Sequence, residues 1–249
     1  MIRWWALTAA LLLLAGCVTE RMGGSEPAPR SVQLQAQLDL ARGYLDQRDW
    51  ARAREPLKRA LEIQPRSAEA HALMAVLHQN QSDPDLAEEH YRRALRYDRD
   101  FAMALNNYGS FLYAQGRYEE ALRPLRRLVR DPDYRARAQA YENLGLTELK
   151  VGNRAEAERA FERALSFNAV LPRSSFELAR LAFDDGRHAE ARRYYEMFRG
   201  RMRQTPATLC LGLRLARQAG DSDRIASYRM ALSNLHSDSP EAQRCIAED

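Results

Sequence analysis

The 249-residue sequence contains little glycine and almost no lysine. Only twelve glycines occur, and with 45% hydrophobic and 29% charged residues this composition is typical of a folded, helical chain. Lys58 and Lys150 are the only lysines among 38 basic residues, and we interpret this arginine bias as genome composition. The net charge of +4 is modest and does not indicate nucleic-acid binding, which usually requires the excess on one face.

The sequence also lacks an apolar run long enough to cross a membrane. The apolar stretch at residues 4–18 is 15 residues long, and a spanning helix needs about 18 or more. Arg3 precedes this stretch. A positive residue followed by a short apolar segment predicts an export signal.

Residues 14–17 read Leu-Ala-Gly-Cys and resemble a bacterial lipobox. The resemblance implies cleavage before Cys17 and acylation of its sulfur, with the covalent lipid as the only expected cofactor. Several acyl chains on one residue form a durable membrane anchor. The alternative is an ordinary signal peptide in which Cys17 occurs by chance. We predict a cleaved signal peptide at 1–16, a lipidated cysteine and flexible tether at 17–33, and a folded body at 34–249.

The folded body at 34–249 contains none of the common catalytic sequence motifs. The sequence contains no phosphate-binding glycine loop, no Gly-x-Ser-x-Gly elbow and no His-Glu-x-x-His helix. His71 and His78 lie seven residues apart, but no third ligand follows at zinc spacing, so we expect them to fill the core rather than bind a metal. We therefore predict that the protein is not an enzyme.

The body is a series of similar units about 34 residues long. Units start near residues 34, 68, 102, 138, 172 and 206. A period of 34 is typical of tetratricopeptide repeats, which are paired antiparallel helices. Small residues such as Gly109 and Gly145 occupy the eighth position of a unit, and large residues such as Leu125 and Phe161 occupy the twenty-fourth. This pattern predicts close contact between the two helices of each unit.

We predict an all-α superhelix of about six helix-turn-helix units with a C-terminal capping helix. Gly116, Gly152 and Gly186 lie between paired helices, where a left-handed residue often ends a helix. Near the C-terminus, Ser239 is a predicted N-cap and Pro240 a first helical residue. A closing helix there would cover the open end of the stack.

Stacked repeats form a groove lined by the first helix of each unit, chiefly at its fifth, ninth and twelfth positions. These residues are mostly apolar, which suits an amphipathic helix or an extended peptide. The predicted groove residues are Leu38, Arg42, Leu45, Val76, Asn106, Ser110, Tyr113, Leu146, Leu149, Phe176, Arg180 and Phe183. Alternatively, Leu146 and Leu149 only support packing. No unit has a basic residue at the fifth position, so a carboxylate clamp is disfavoured.

Cys210 and Cys245 remain as a pair once Cys17 is assigned to the anchor. An even pair in an exported protein can oxidise, and their places on neighbouring helices allow a bridge without requiring it. The alternative is that both are buried as small hydrophobic thiols.

The middle and the end of the chain resemble the type IV pilus biogenesis and stability lipoproteins, the PilF/PilW family. The resemblance rests on a two-residue insertion, the Asp-Pro-x-Tyr turn at 131–134 and the Leu-Gly-x-Arg-x-Ala-Arg run at 211–217. It implies a pilotin, an outer-membrane lipoprotein that binds the pilus secretin and promotes its localisation and assembly into multimers.

The expected partners are therefore the secretin, the lipoprotein processing and sorting machinery, and the membrane through the anchor, without nucleic acid. Val18 follows Cys17, so the familiar inner-membrane retention signal is missing and the periplasmic face of the outer membrane is favoured. The alternatives are a lipoprotein adaptor for cell-wall enzymes and a purely structural stabiliser of an envelope assembly.

Overall fold

A computed structural model of the chain describes residues 28–248. These residues form thirteen α-helices: α1 (Arg30–Asp46), α2 (Trp50–Ile63), α3 (Ala68–Asn80), α4 (Pro84–Tyr97), α5 (Ala102–Ala114), α6 (Tyr118–Leu128), α7 (Arg137–Lys150), α8 (Arg154–Phe167), α9 (Pro172–Asp184), α10 (His188–Phe198), α11 (Pro206–Ala219), α12 (Ser222–Leu235) and α13 (Pro240–Ala247). Consecutive helices pair as α1·α2 through α11·α12, which confirms six units and a closing helix. None of the described helices has both the length and the apolar character of a membrane span.

The turns within units follow from local chain chemistry. Asp49 and Asp83 cap α2 and α4, because each carboxylate accepts a hydrogen bond from a main-chain N–H in the first helical turn. Gly116 has φ +74° between α5 and α6. Arg48 and Ser82 take the same left-handed conformation in the first two units, with φ values of 58° and 60°. The first two turns therefore carry a backbone cost that glycine avoids elsewhere.

Small residues allow the two helices of a unit to approach closely. A Cβ atom on Gly145 would lie 2.7 Å from the Phe161 ring, and one on Gly109 would lie 2.7 Å from the Leu125 side chain. Phe161 and Leu125 are both buried. The predicted small-to-large pairing between positions 8 and 24 is thus confirmed at these two units.

Stacking gives the solenoid two different sides. The first helices of successive units (α1, α3, α5, α7, α9 and α11; the A helices) contact one another. The main chains of the second helices (α2, α4, α6, α8, α10 and α12; the B helices) do not approach one another closely in the described part of the chain. Side chains still meet between α10 and α12, where the Tyr195 hydroxyl donates to the Tyr228 hydroxyl at 2.9 Å. The A helices therefore form the tighter, inner face, and the B helices form an outer face with clefts between them.

The beginning of α1 differs from the prediction. The helix begins at Arg30, so the last four residues assigned to the tether, 30–33, belong to the helix. The predicted boundary at 34 is the start of the first repeat unit. Helix propagation beyond a formed nucleus needs no buried face, and Val32 in the added turn is 54% exposed.

Candidate partner-binding groove

Three of the predicted groove residues are buried in the core. Leu38 and Leu45 are 2% and 8% exposed and pack in one cluster with residues of α2 and α3, and Leu146 is 7% exposed in the cluster around α8 and α9. The structure therefore assigns these three leucines to the core rather than to the groove surface. The reason is that the A helix of the next unit covers this flank of α1 and α7, which single-helix periodicity does not reveal.

Three residues at the twelfth position form an apolar stripe on successive A helices. Tyr113 on α5, Leu149 on α7 and Phe183 on α9 are half-buried and pack against the same hydrophobic cluster. Tyr113 meets the Tyr118 ring edge-on, with ring centroids 5.1 Å apart. The stripe of Tyr113, Leu149 and Phe183, which we call the inner stripe, keeps part of each side chain accessible. It can accept apolar side chains of a bound segment.

Amide side chains lie on the same A helices as the inner stripe, about two turns before it. Asn143 Nδ2 donates to Asn106 Oδ1 across α5 and α7 at 3.5 Å, and Gln139 Nε2 donates to Asn143 Oδ1 at 3.4 Å. Ser110, one turn after Asn106, is exposed. Asn143 and Gln139 were not among the predicted groove residues. The sequence signal that could have found this site is Asn143, a polar residue at the sixth position of the fourth unit, next to the fifth position used for the groove prediction. Such amides can bond to the main chain of an extended ligand.

The remaining predicted groove residues differ in their surroundings. Val76 is half-buried between the first and third units, and Phe176 packs edge-on against Phe198 with centroids 5.4 Å apart. Arg42 is bound to Glu69 of the next unit, and this hydrogen bond raises the pKa of the Arg42 guanidinium. Arg180 pairs with Glu177 at 2.9 Å. Both cations are thus engaged by carboxylates, and the groove surface is mainly apolar and amide in character.

Two buried carboxylates join α7 to its neighbouring helices. Glu142 Oε2 accepts hydrogen bonds from the Ser174 main-chain N–H at 3.1 Å and from its hydroxyl at 2.7 Å. Glu148, which is 2% exposed, accepts two hydrogen bonds from the Arg126 guanidinium. Because each buried carboxylate accepts hydrogen bonds from a neighbouring helix, these contacts hold successive units in register.

The predicted core histidines are part of a three-histidine cluster. His71 is 3% exposed, and its Nδ1 lies 2.9 Å from His90 Nδ1, while His78 stacks on the His90 ring. Burial, together with the neighbouring histidines, lowers the pKa of His90 to about 4. Residues 28–248 contain no group of three or more His, Cys, Asp or Glu side chains arranged to hold a metal ion.

Cys210 and Cys245 come together at the C-terminal end. Their Cα atoms are 5.8 Å apart, and their sulfur atoms are joined in a disulfide between α11 and α13. The bridge spans 35 residues, close to one repeat, so α13 occupies the place of a seventh A helix. Cys17, the predicted lipidation site, lies outside the described residues.

The tetratricopeptide repeat family matches residues 38–78, 72–140 and 142–205. The type IV pilus assembly protein PilF of Pseudomonas aeruginosa is 41% identical over 239 residues, which are 94% of each chain. The chain belongs to the PilF family. The family in turn places the protein among the tetratricopeptide repeat proteins of type IV pilus biogenesis, and the inner stripe lies on the face that such scaffolds use for protein–protein interaction.

Solved structures agree with this PilF assignment. A structure of P. aeruginosa PilF superposes with a TM-score of 0.82 over 88% of this chain and 99% of that chain, at 41% identity. PilW, a type IV pilus biogenesis factor, superposes with a TM-score of 0.68 over 85% of this chain and 97% of that one, at 27% identity. The cellulose synthase operon protein C of Xanthomonas axonopodis is 30% identical over 84% of this chain, but that stretch is 12% of its own length.

Proposed function

We propose that the protein is a pilotin, a lipoprotein of the outer membrane that binds the type IV pilus secretin. In this proposal lipid on Cys17 passes the protein to the sorting machinery and anchors it at the periplasmic face. The inner groove holds secretin subunits during their transfer, which promotes secretin localisation and multimer formation. Pilus biogenesis and twitching motility would follow.

The observation that carries the proposal is the similarity to PilF over 94% of both chains, which is more than the repeats at 34–249 alone can account for. A scaffold that resembled PilF only in its repeats would lose the similarity before residue 34. The Leu-Ala-Gly-Cys sequence at 14–17 supports a lipid anchor at the end that precedes the solenoid. Repeats and anchor together fit a protein that carries a client to a membrane.

The groove supports a peptide-like client. The inner stripe offers an apolar track across three units, and the amides of Asn106 and Asn143 lie about two turns before it on α5 and α7. An amphipathic helix or extended segment of a secretin subunit would place apolar side chains on the stripe and bond its main chain to the amides. Apolar burial then supplies affinity, and the amides fix register.

The test is an immunoblot of SDS-resistant secretin multimers in membranes separated by density. We expect loss of outer-membrane multimers in a deletion strain, because the secretin would have no carrier. We expect misplaced multimers in Cys17→Ser, because the carrier would lack the lipid that directs it to the outer membrane. Ser110→Glu places a charge beside the inner stripe and should reduce multimers several-fold. Ser233→Glu on the exposed surface of α12 is the matched control and should leave them unchanged.

Normal multimers in the correct membrane in both the deletion strain and Cys17→Ser would contradict the pilotin proposal. Recovery of cell-wall enzymes instead of secretin in a pull-down with the wild-type protein would favour the adaptor. Weak pili with intact secretin multimers would favour a structural stabiliser.

A further inference from the structure

A cleft on the outer face lies between α4 and α6, with α5 at its base. Its volume is about 580 Å³, within the range of about 300–1,000 Å³ for ligand sites. The cleft exists because the main chains of α4 and α6 do not approach each other closely, and it lies outside the groove lined by the A helices.

Arginines line both walls of this cleft. Arg92 and Arg96, one helical turn apart, with Arg99 just after the helix, come from the α4 side, and Arg123 and Arg127, again one turn apart, come from α6. The base is apolar and includes Leu105 and Leu112. We call the set of five arginines the arginine walls.

The positive charge of the walls is only partly compensated. Arg92 pairs with Glu88 at 2.7 Å, and Arg127 pairs with Asp100 at 2.6 Å. Arg96, Arg99 and Arg123 make no ion pair with any described residue. The cleft therefore presents three guanidinium groups ready for an anionic ligand.

Two carboxylates oppose this charge. Glu119 and Glu120 also line the cleft, but Glu120 is bound to Arg117 at 2.6 Å. With Arg92, Arg127 and Glu120 already paired, the three unpaired guanidinium groups face Glu119 as the remaining carboxylate of the cleft lining. Like charges one turn apart on a helix destabilise it slightly, so an anion bound between the walls would relieve the repulsion that the unpaired arginines cause.

We infer that this cleft binds an acidic peptide segment that carries apolar side chains. Guanidinium groups pair with carboxylates in a planar, two-bond geometry. Side chains of an extended chain point alternately to opposite sides, so acidic residues can meet the walls while apolar ones enter the base. A second cleft of about 840 Å³ shares Arg123 and Arg127. This continuity favours a chain several residues long over a single small anion.

The inference is independent of the pilotin proposal, because it uses the outer face and none of the groove residues. The probe is a fluorescein-labelled peptide of alternating glutamate and leucine, and its control has glutamine for glutamate. Fluorescence anisotropy is measured on the full chain in non-ionic detergent. We expect the acidic peptide to bind at low salt, to lose affinity at high salt, and to bind at least tenfold more tightly than the glutamine peptide.

The decisive variant is Arg96→Gln/Arg99→Gln/Arg123→Gln. We expect about tenfold weaker binding, since each of three exposed ion pairs contributes about a factor of two to three. Its melting temperature should stay equal to that of the wild type or rise, since it removes repulsion within the walls. Arg66→Gln/Arg135→Gln/Arg203→Gln removes the same charge from exposed arginines outside the cleft and should change affinity less than twofold. Ser110→Glu, in the inner groove, should leave peptide binding unchanged.

Equal weakening by the two triple variants would overturn the inference, since only net charge would then matter. Equal binding of the acidic and glutamine peptides would also overturn it. Flotation with vesicles of neutral and anionic phospholipid provides a further test. If the three arginines governed vesicle binding but not peptide binding, the ligand would be a lipid surface, and the peptide assignment would be wrong.

Discussion

The regular units and the C-terminal end of this solenoid are stabilised in different ways. In the first unit α2 buries Ala53, Pro56, Leu57 and Ala60, whereas in the last unit α12 buries Leu232 alone. Met230 and Leu235 on α12 are 65% and 58% exposed. The helix α2 packs against both α1 and α3, whereas in the described part of the chain α12 is followed only by the short α13 and by no complete unit. Burial therefore stabilises the body much more than the end.

The end compensates with specific bonds. The disulfide joins α11 to α13, and the Arg217 guanidinium donates to the Cys245 and Ile246 carbonyls at 3.0 and 3.1 Å. Thr205 and Thr208 form a reciprocal capping box at the start of α11. These contacts replace the missing apolar area. The comparison shows that a repeat protein can close its stack by local bonds where packing is incomplete.

The largest effect is expected from breaking the covalent link of the end. Cys245→Ser should lower the free energy of unfolding by about 3–4 kcal/mol, because the bridge closes a loop of 35 residues. Chemical denaturation measures the change, and hydrogen exchange should locate it in α11 and α13. Reduction of the wild type should reproduce the loss. Unchanged stability would show that packing alone holds the end.

The body should be more sensitive to overpacking. Gly145→Ala should destabilise the protein by up to about 3 kcal/mol, because the new Cβ would meet the rigid Phe161 ring. Adding Phe161→Leu should recover part of this loss in a double-mutant cycle. Gly109→Ala is a milder counterpart, since the flexible Leu125 side chain can move. If the two alanine variants had equal effects, ring rigidity would not be the cause.

As the pH falls, the repeat body should lose stability before the C-terminal end does. The lowered pKa of His90, about 4 against 6.5 in the unfolded chain, means that the unfolded state binds more protons between these values. This contribution to stability is present above pH 6.5 and is lost as pH falls towards 4. We expect a loss of about 1–2 kcal/mol from pH 7 to pH 4.5 that His90→Leu largely removes. Denaturation curves at the two pH values test this, and an unchanged loss in the variant would contradict it.

The smallest effect concerns the turns of the body. Arg48→Gly and Ser82→Gly should each raise the free energy of unfolding by about 0.5–1 kcal/mol, because glycine accepts positive φ without the Cβ penalty. Gly116→Ala provides the reverse change and should lower stability by a similar amount. Thermal melts suffice for the comparison. Losses in both glycine variants would mean that the Arg48 and Ser82 side chains stabilise these turns.

Much of the fold could be predicted from the sequence because its information is local and periodic. The six unit starts correspond to A helices, Ser239 caps α13 as expected, and Gly116 takes the left-handed conformation. Each of these features depends on a few neighbouring residues. Burial of Leu38 or Leu146 depends instead on the position of the next unit. The periodicity of a single helix carries no information about the distance between units.

The sequence by itself determined the number of units, the small-to-large contacts within them and the closing helix, since these follow from spacing and backbone chemistry. Only the tertiary structure decided how the units stack. Contact among A helices and separation among B helices buried three predicted groove leucines and opened a cleft lined by arginines that are unremarkable in sequence. The curvature of the solenoid results from many contacts between units, and no single residue specifies it. This curvature decides which surfaces are accessible.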